Sequence, residues 1–137
     1  MKYQSLHRWK YRLAKTEIFE TGWTLPEDTH APYIKLFKGG RLEVFEGYCW
    51  DGVSGPTIDR KSNMRGSLAH DVCFQLMRMG LLSQEYFSKS NELLARLWIE
   101  DGMWPWVAQT EVAFVSRFGA SNAAPGAASE PPILEAP

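Results

Sequence analysis

The chain has 137 residues, of which 45% are hydrophobic and 13% aromatic, and a formal net charge of −1. This composition is typical of a globular protein, and the near-zero charge gives no field that favours nucleic acid. Two cysteines are too few for a disulfide scaffold and fit a reducing compartment. We expect one domain over residues 1–118, followed by a flexible Ala/Pro/Ser-rich tail over residues 119–137.

The N-terminal fifteen residues are basic and aromatic and contain no apolar segment of the secretory type. Nor does any run of 18 apolar residues predict a membrane span. Two interpretations stay open: an arm that docks on phosphates, anionic lipid or a partner protein, and a solvated strand edge, which we favour. Residues 11–19 follow as a strand with a slip or bulge.

The clearest local pattern is a β-hairpin around Gly39 and Gly40, where two alternating runs meet at a Gly-Gly turn. Residues 21–32, before it, are interrupted by glycine and proline and predict a loop. Residues 47–56 after it, GYCWDGVSGP, form a second loop whose glycines allow backbone carbonyls or N–H groups to face a ligand. An ordinary strand-to-helix connection is the alternative.

Three helices are predicted in the second half of the chain. The first covers residues 65–79 and is apolar almost all round, which is typical of a buried helix. The second begins after Ser83, an N-cap residue, and ends near Gly102, and the third runs from Pro105 to Gly119. We expect the aromatic side chains of the third helix and its approach, Trp104 and Trp106 among them, to pack rather than to bind.

His70 and Asp71 interrupt the apolar pattern of the first helix and are the strongest functional clue. A buried carboxylate without a partner costs several kcal/mol or more, so Asp71 requires water, a metal or another cation. Two antiparallel helices would bring Asn91 against His70, where an acceptor fixes the imidazole tautomer. Loop carbonyls and Asp71 would form an oxygen cage for Ca²⁺, beside which His70 could deprotonate a water.

Other chemistries fit this region less well. No CxxC or HExxH pattern completes a zinc site around His70 and Cys73. A Cys73–His70 nucleophile pair is possible, although a thiol on an apolar stripe is normally inert. In a purely structural alternative, Asp71 bonds a loop N–H or an arginine such as Arg65, and His70 is a satisfied core histidine. For an isolated His–Asp pair, the residues alone favour that alternative.

Two stretches, GYCWDGVSGP and LAHDVCFQLMRMGLLSQEYFSKSNELLARLWIEDGM, resemble the domain-of-unknown-function 1353 family over residues 44–103. That family's pattern is a W-D-G-x-S-x-P loop, a helix with A-x-x-H-D, and a helix usually carrying A-D. The resemblance implies a small protein encoded by a bacteriophage or prophage. Its expected location is the host cytoplasm or the virion.

The same core is similar, more distantly, to the secreted and parvoviral phospholipase A2 enzymes through the helix motif H-D-V-C-F at residues 70–74. The resemblance implies that His70 is the water-activating base and that Asn91 stands where those enzymes have an aspartate. It also implies that Ser90 stands where the secreted enzymes have a cysteine paired with the one at Cys73. The implied calcium ligands are Asp71 and carbonyls near Tyr48, Asp51 and Gly52.

The sequence therefore predicts an α+β fold, with a small antiparallel sheet or hairpin followed by two or three packed helices that include a phospholipase-A2-like pair. The leading hypothesis is a calcium-dependent phospholipid ester hydrolase, or a degenerate relative of one. The competing hypothesis is a virion-associated accessory protein that docks on other phage proteins through its basic arm and Pro-rich tail. Since Asn91 carries no charge to stabilise an imidazolium, the hydrolase hypothesis predicts weakened activity.

Overall fold

A computed structural model describes residues 1, 3–5, 11–50 and 64–123, and it has the predicted α+β architecture. Antiparallel sheets occupy the first part of the chain and three helices the second. The chain divides into two compact units, one within Met1–Asp51 and one within Gly52–Ser129. The expectation of a single domain over residues 1–118 stays a prediction.

In the described part of the first unit, seven short strands form two sheets. They are β1 (Tyr3–Ser5), β2 (Tyr11–Leu13), β3 (Glu17–Glu20), β4 (Thr29–Ala31), β5 (Ile34–Leu36), β6 (Arg41–Val44) and β7 (Cys49–Trp50). The three-stranded sheet has the order β1-β2-β7, and the four-stranded sheet has the order β3-β6-β5-β4. All the pairings are antiparallel. Alternation along β5 and β6 buries one face of each strand, which provides the apolar side of the larger sheet.

The predicted hairpin is confirmed as β5 and β6, paired from Ile34 with Val44 to Leu36 with Leu42. Gly40 closes the turn with a φ of 98°, and a Cβ there would lie 2.5 Å from a backbone oxygen of residue 23. Both the dihedral and the close approach require glycine at this position.

Three predictions in the sheet region are wrong. Residues 47–56 are not entirely loop, because Cys49–Trp50 forms β7 and pairs with β2, while residues 51–56 lie outside the described residues. Residues 11–19 do not form one bulged strand, because β2 and β3 pair in different sheets. Residues 21–32 are not entirely loop, because Thr29–Ala31 forms β4 and pairs with β5. The turn between β4 and β5 contains Tyr33 at a φ of 65°, a conformation that local sequence patterns do not predict for tyrosine. Strand β1 lies at the edge of its sheet, which agrees with the strand-edge interpretation of the basic arm.

The three predicted helices are confirmed as α1 (Met64–Arg78), α2 (Tyr86–Glu100) and α3 (Pro105–Ala123). Helix α1 is buried over most of its length, as its apolar composition predicts. Helix α2 begins later than expected, at Tyr86, and Ser83 belongs to the preceding turn, where its carbonyl accepts from the Tyr86 N–H and its hydroxyl from the Glu85 N–H. Helix α3 continues past Gly119, where the sequence predicts its end.

The helices pack through an apolar cluster that includes Leu94, Trp98, Met103 and Ala108. The packing expected of the aromatic side chains at α3 is wrong for its two tryptophans. Trp104 and Trp106 are 68% and 67% exposed, since Ala108 and its neighbours take the buried face of the helix. None of the helices in the described part of the chain is long and apolar enough to cross a bilayer.

Candidate functional site

The candidate site lies between α1 and α2, which run antiparallel. Residues later in α1 contact residues earlier in α2. Gly66 lies against Trp98, Cys73 against Ser90, and Phe74 against Phe87. Gly66 allows the closest approach, because a Cβ there would lie 2.6 Å from an atom of the Trp98 indole. This register brings the middle of each helix face to face.

His70 and Asn91 meet at the middle of the helix pair. The imidazole Nε2 lies 2.8 Å from the amide oxygen of Asn91, and the side chains are only 4% and 6% exposed. Asn91 reaches this position because it shares the buried face of α2 with Leu94 and Trp98. The predicted meeting of residues 70 and 91 is therefore present, although their catalytic roles stay predictions.

Burial keeps the His70 imidazole neutral. It lowers the pKa of His70 to about 4, and the hydrogen bond to Asn91 opposes this effect only partly. An amide oxygen can only accept, so Nε2 carries the hydrogen in this arrangement and Nδ1 keeps its lone pair. Within the described part of the chain no group is hydrogen-bonded to Nδ1. The ring of Phe74 packs against the imidazole at 4.1 Å between centroids.

Cys73 and Ser90 form a second contact, less than one turn from the first. Burial raises the pKa of the Cys73 thiol to about 12, with a smaller opposing contribution from its hydrogen bond to Ser90. The Ser90 hydroxyl donates to the Tyr86 carbonyl at 2.7 Å. Cys73 is thus a protonated, fully buried thiol at neutral pH, which argues against a Cys–His nucleophile pair.

The expected calcium ligands are distributed over both units. Asp71 is half-buried on α1 and makes an interaction of its own. Tyr48 belongs to the first unit, where its carbonyl accepts a hydrogen bond from the Leu13 N–H at 2.7 Å. Asp51 and Gly52 lie outside the described residues. The oxygen cage therefore stays a prediction.

No group of three or more His, Cys, Asp or Glu side chains able to hold a metal occurs among the residues that the structure describes. This finding does not test a cage built largely from carbonyl oxygens.

Arg65 joins α1 to the C-terminal end of α2. Its guanidinium lies 3.1 Å from the Asp101 carboxylate and 3.0 Å from that of Glu100. Burial opposes the charge of Arg65, but the two carboxylates outweigh it and raise the pKa of the guanidinium. The structural alternative paired Arg65 with Asp71, whereas these contacts join Arg65 to Asp101 and Glu100.

A groove between α2 and α3 is a feature that the sequence analysis missed. It is lined by Asn91 and Glu92 from α2 and by Val112 from α3, among others. No local pattern predicts such a groove, because it depends on how two helices pack.

No family model, curated protein or solved structure gives a significant match to the chain. The resemblances to the domain-of-unknown-function 1353 family and to phospholipase A2 therefore stay predictions carried by the motifs that define them. The geometry of the helix pair is independent of both resemblances.

Proposed function

We propose that the chain is a phospholipase-A2-type lipid ester hydrolase of phage or prophage origin, in which Asn91 weakens the base. The observation that carries the proposal is the 2.8 Å contact of His70 with Asn91. The adjacent contact of Cys73 with Ser90 supports it, because the resemblance aligns both pairs with side-chain pairs of those enzymes. Two correspondences in one register are harder to obtain by chance than one.

His70 would act through Nδ1, whose lone pair accepts a proton from a water that attacks the ester carbonyl. Asn91 holds Nε2–H and so fixes the tautomer that this step requires. Because an amide carries no charge, the imidazolium formed during the step lacks electrostatic stabilisation. The corresponding Asp-to-Asn change in a serine-protease triad lowers kcat by about 10⁴-fold. We therefore expect slow turnover.

A calcium ion would be held by the Asp71 carboxylate and backbone carbonyls near Tyr48, Asp51 and Gly52. The half-buried position of Asp71 is compatible with such a role. When bound, the ion would stabilise the negative charge that develops on the ester oxygen.

The test is calcium-dependent release of fatty acid from phospholipid vesicles by the full-length chain. We expect slow release that is lost in His70→Ala and increased in Asn91→Asp, with Glu46→Gln on the exposed surface of the first unit as the control. Calorimetric titration with Ca²⁺ should give binding that Asp71→Ala abolishes. Absence of release from both the wild type and a folded Asn91→Asp variant would refute the hydrolase.

The second candidate is the virion-associated accessory protein. The observation that favours it is the 4% exposure of His70, which is typical of a structural histidine satisfied by one partner. This candidate predicts no turnover and co-purification with phage particles. The expected contacts run through the basic residues of the first fifteen positions and the Pro-rich end. Neutralising those basic residues, or deleting the Pro-rich end, should therefore reduce co-purification.

A further inference from the structure

The groove between α2 and α3 has the size of a small-molecule site. Its volume is about 580 Å³, within the common range for ligand pockets. Apolar side chains line it beside polar ones, which is the usual composition of such sites. The apolar set is Ala95, Ile99 and Val112, and the uncharged polar set is Ser88, Asn91, Gln109 and Ser116.

Among the charged side chains of the groove, one carboxylate has no ion-pair partner in the described part of the chain. Arg96 pairs with Glu100 at 3.5 Å, and Glu100 is also bound by Arg65 at 3.0 Å. Glu92 has no ion-pair partner among the residues that the structure describes. A carboxylate beside apolar surface attracts a cation whose body can cover that surface. Charge complementarity thus favours an organic cation over an anion.

Asn91 connects the groove to His70. Its side chain lines the groove while its amide oxygen holds the imidazole Nε2. The amide nitrogen of this buried side chain has no hydrogen-bond partner in the described part of the chain. A ligand that reaches Asn91 from the groove therefore contacts the group that sets the tautomer of His70.

We propose that the α2–α3 groove binds an organic cation with a short aliphatic body, held by Glu92 and the apolar wall, and that His70 senses its binding through Asn91. This site faces Nε2 of His70 through Asn91, whereas the proposed hydrolysis uses Nδ1. The groove would be an effector site rather than the place where an ester binds. Its binding does not require the chain to be a hydrolase.

The experiment is calorimetric titration of the full chain with hexyltrimethylammonium, compared with tetramethylammonium and with hexanoate. We expect saturable binding of hexyltrimethylammonium only, because the first comparison ligand lacks the aliphatic body and the second reverses the charge. Glu92→Gln should weaken binding by about fivefold, the upper range for one exposed ion pair. Glu46→Gln, a carboxylate change in the first unit, should leave it unchanged.

Gln109→Trp provides a second variant that fills the groove from an exposed position, so it should fold while abolishing binding. In the wild type, saturation should move the imidazole ¹⁵N resonances of His70 and leave those of the exposed His30 in place. Equal binding of hexanoate, unchanged affinity in Glu92→Gln and Gln109→Trp, or an unmoved His70 at saturation would each overturn the proposal. Failure of hydrolysis would not affect any of these measurements.

Discussion

Asn91→Asp should raise the proton affinity of His70, by up to about a thousandfold. In the wild type, burial dominates and lowers the pKa of His70 to about 4, because the amide of Asn91 offers a dipole but no charge. The variant places a carboxylate at the position of an oxygen that lies 2.8 Å from Nε2. An imidazolium there would gain a full opposite charge.

The magnitude follows from the distance between the two charge centres. Unit charges about 4 Å apart attract by about 4 kcal/mol at the effective dielectric constant typical of protein sites. Since about 1.4 kcal/mol corresponds to a tenfold change in an equilibrium constant, this attraction equals about 10³ in proton affinity. Desolvation of the new carboxylate reduces the gain, so about a thousandfold is the upper expectation.

The measurement is an NMR pH titration of the His70 imidazole in the wild type and in Asn91→Asp. The exposed His30 in the first unit provides an internal control for the measurement. Asn91→Leu removes the acceptor while keeping the site apolar, and it should lower the proton affinity of His70 below that of the wild type. A folded Asn91→Asp variant whose His70 titrates like the wild type would refute the arrangement of the pair.

Three further predictions concern stability. The free energy of unfolding should fall by about 3 kcal/mol as the pH drops from 7 to 4. The cause is that the imidazole of His70 binds a proton near its ordinary pKa in the unfolded chain but only at about pH 4 in the folded chain. Chemical denaturation at several pH values measures this loss of stability, which should be smaller in His70→Asn. Gly66→Ala should lower the free energy of unfolding by about 1–3 kcal/mol, because its Cβ would overlap the fully buried indole of Trp98. Gly39→Ala is the control and should change the stability little, since no atom lies within 4 Å of its Cβ. Equal melting temperatures for the two variants would contradict the close approach of Gly66 to Trp98. Ser90→Cys should form a disulfide with Cys73 under oxidising conditions and stabilise the chain by about 3 kcal/mol relative to its reduced form. Thiol titration measures disulfide formation, and thermal unfolding of the oxidised and reduced forms measures the stabilisation. Persistence of both thiols after oxidation would count against the helix register.

The sequence predicted the helices well, because apolar spacing over fifteen residues is a strong signal. The same spacing placed Asn91 on the buried face of α2, and antiparallel packing then brought it to His70. Strand β4 was missed, since Thr-His-Ala carries no alternation and its pairing depends on the unusual dihedral of Tyr33. Short strands of this kind are decided by their partners rather than by their own residues.

The exposure of Trp104 and Trp106 shows a different limit of sequence analysis. Both residues are large and apolar, so composition alone assigns them to a core. The rotation of α3 decides otherwise, because Met103 and Ala108 take the positions that face α2. The α2–α3 groove has the same origin and leaves no pattern along the chain. Two residues of the predicted calcium cage, Asp51 and Gly52, lie outside the described residues.

The ionic contacts of Arg65 bear on how solvent reaches the imidazole. They join α1 to α2 at one end of the helix pair. At the other end, Gly80, with a φ of 73°, terminates α1 and donates its N–H to the Met77 carbonyl. Helix ends normally fray first, so water entering from either end must break these contacts before it reaches the centre. Backbone amides flanking His70 should therefore exchange with deuterium more slowly than those near Arg65. Added salt should widen the difference, because screening the partly exposed ion pairs loosens the helix pair first at Arg65.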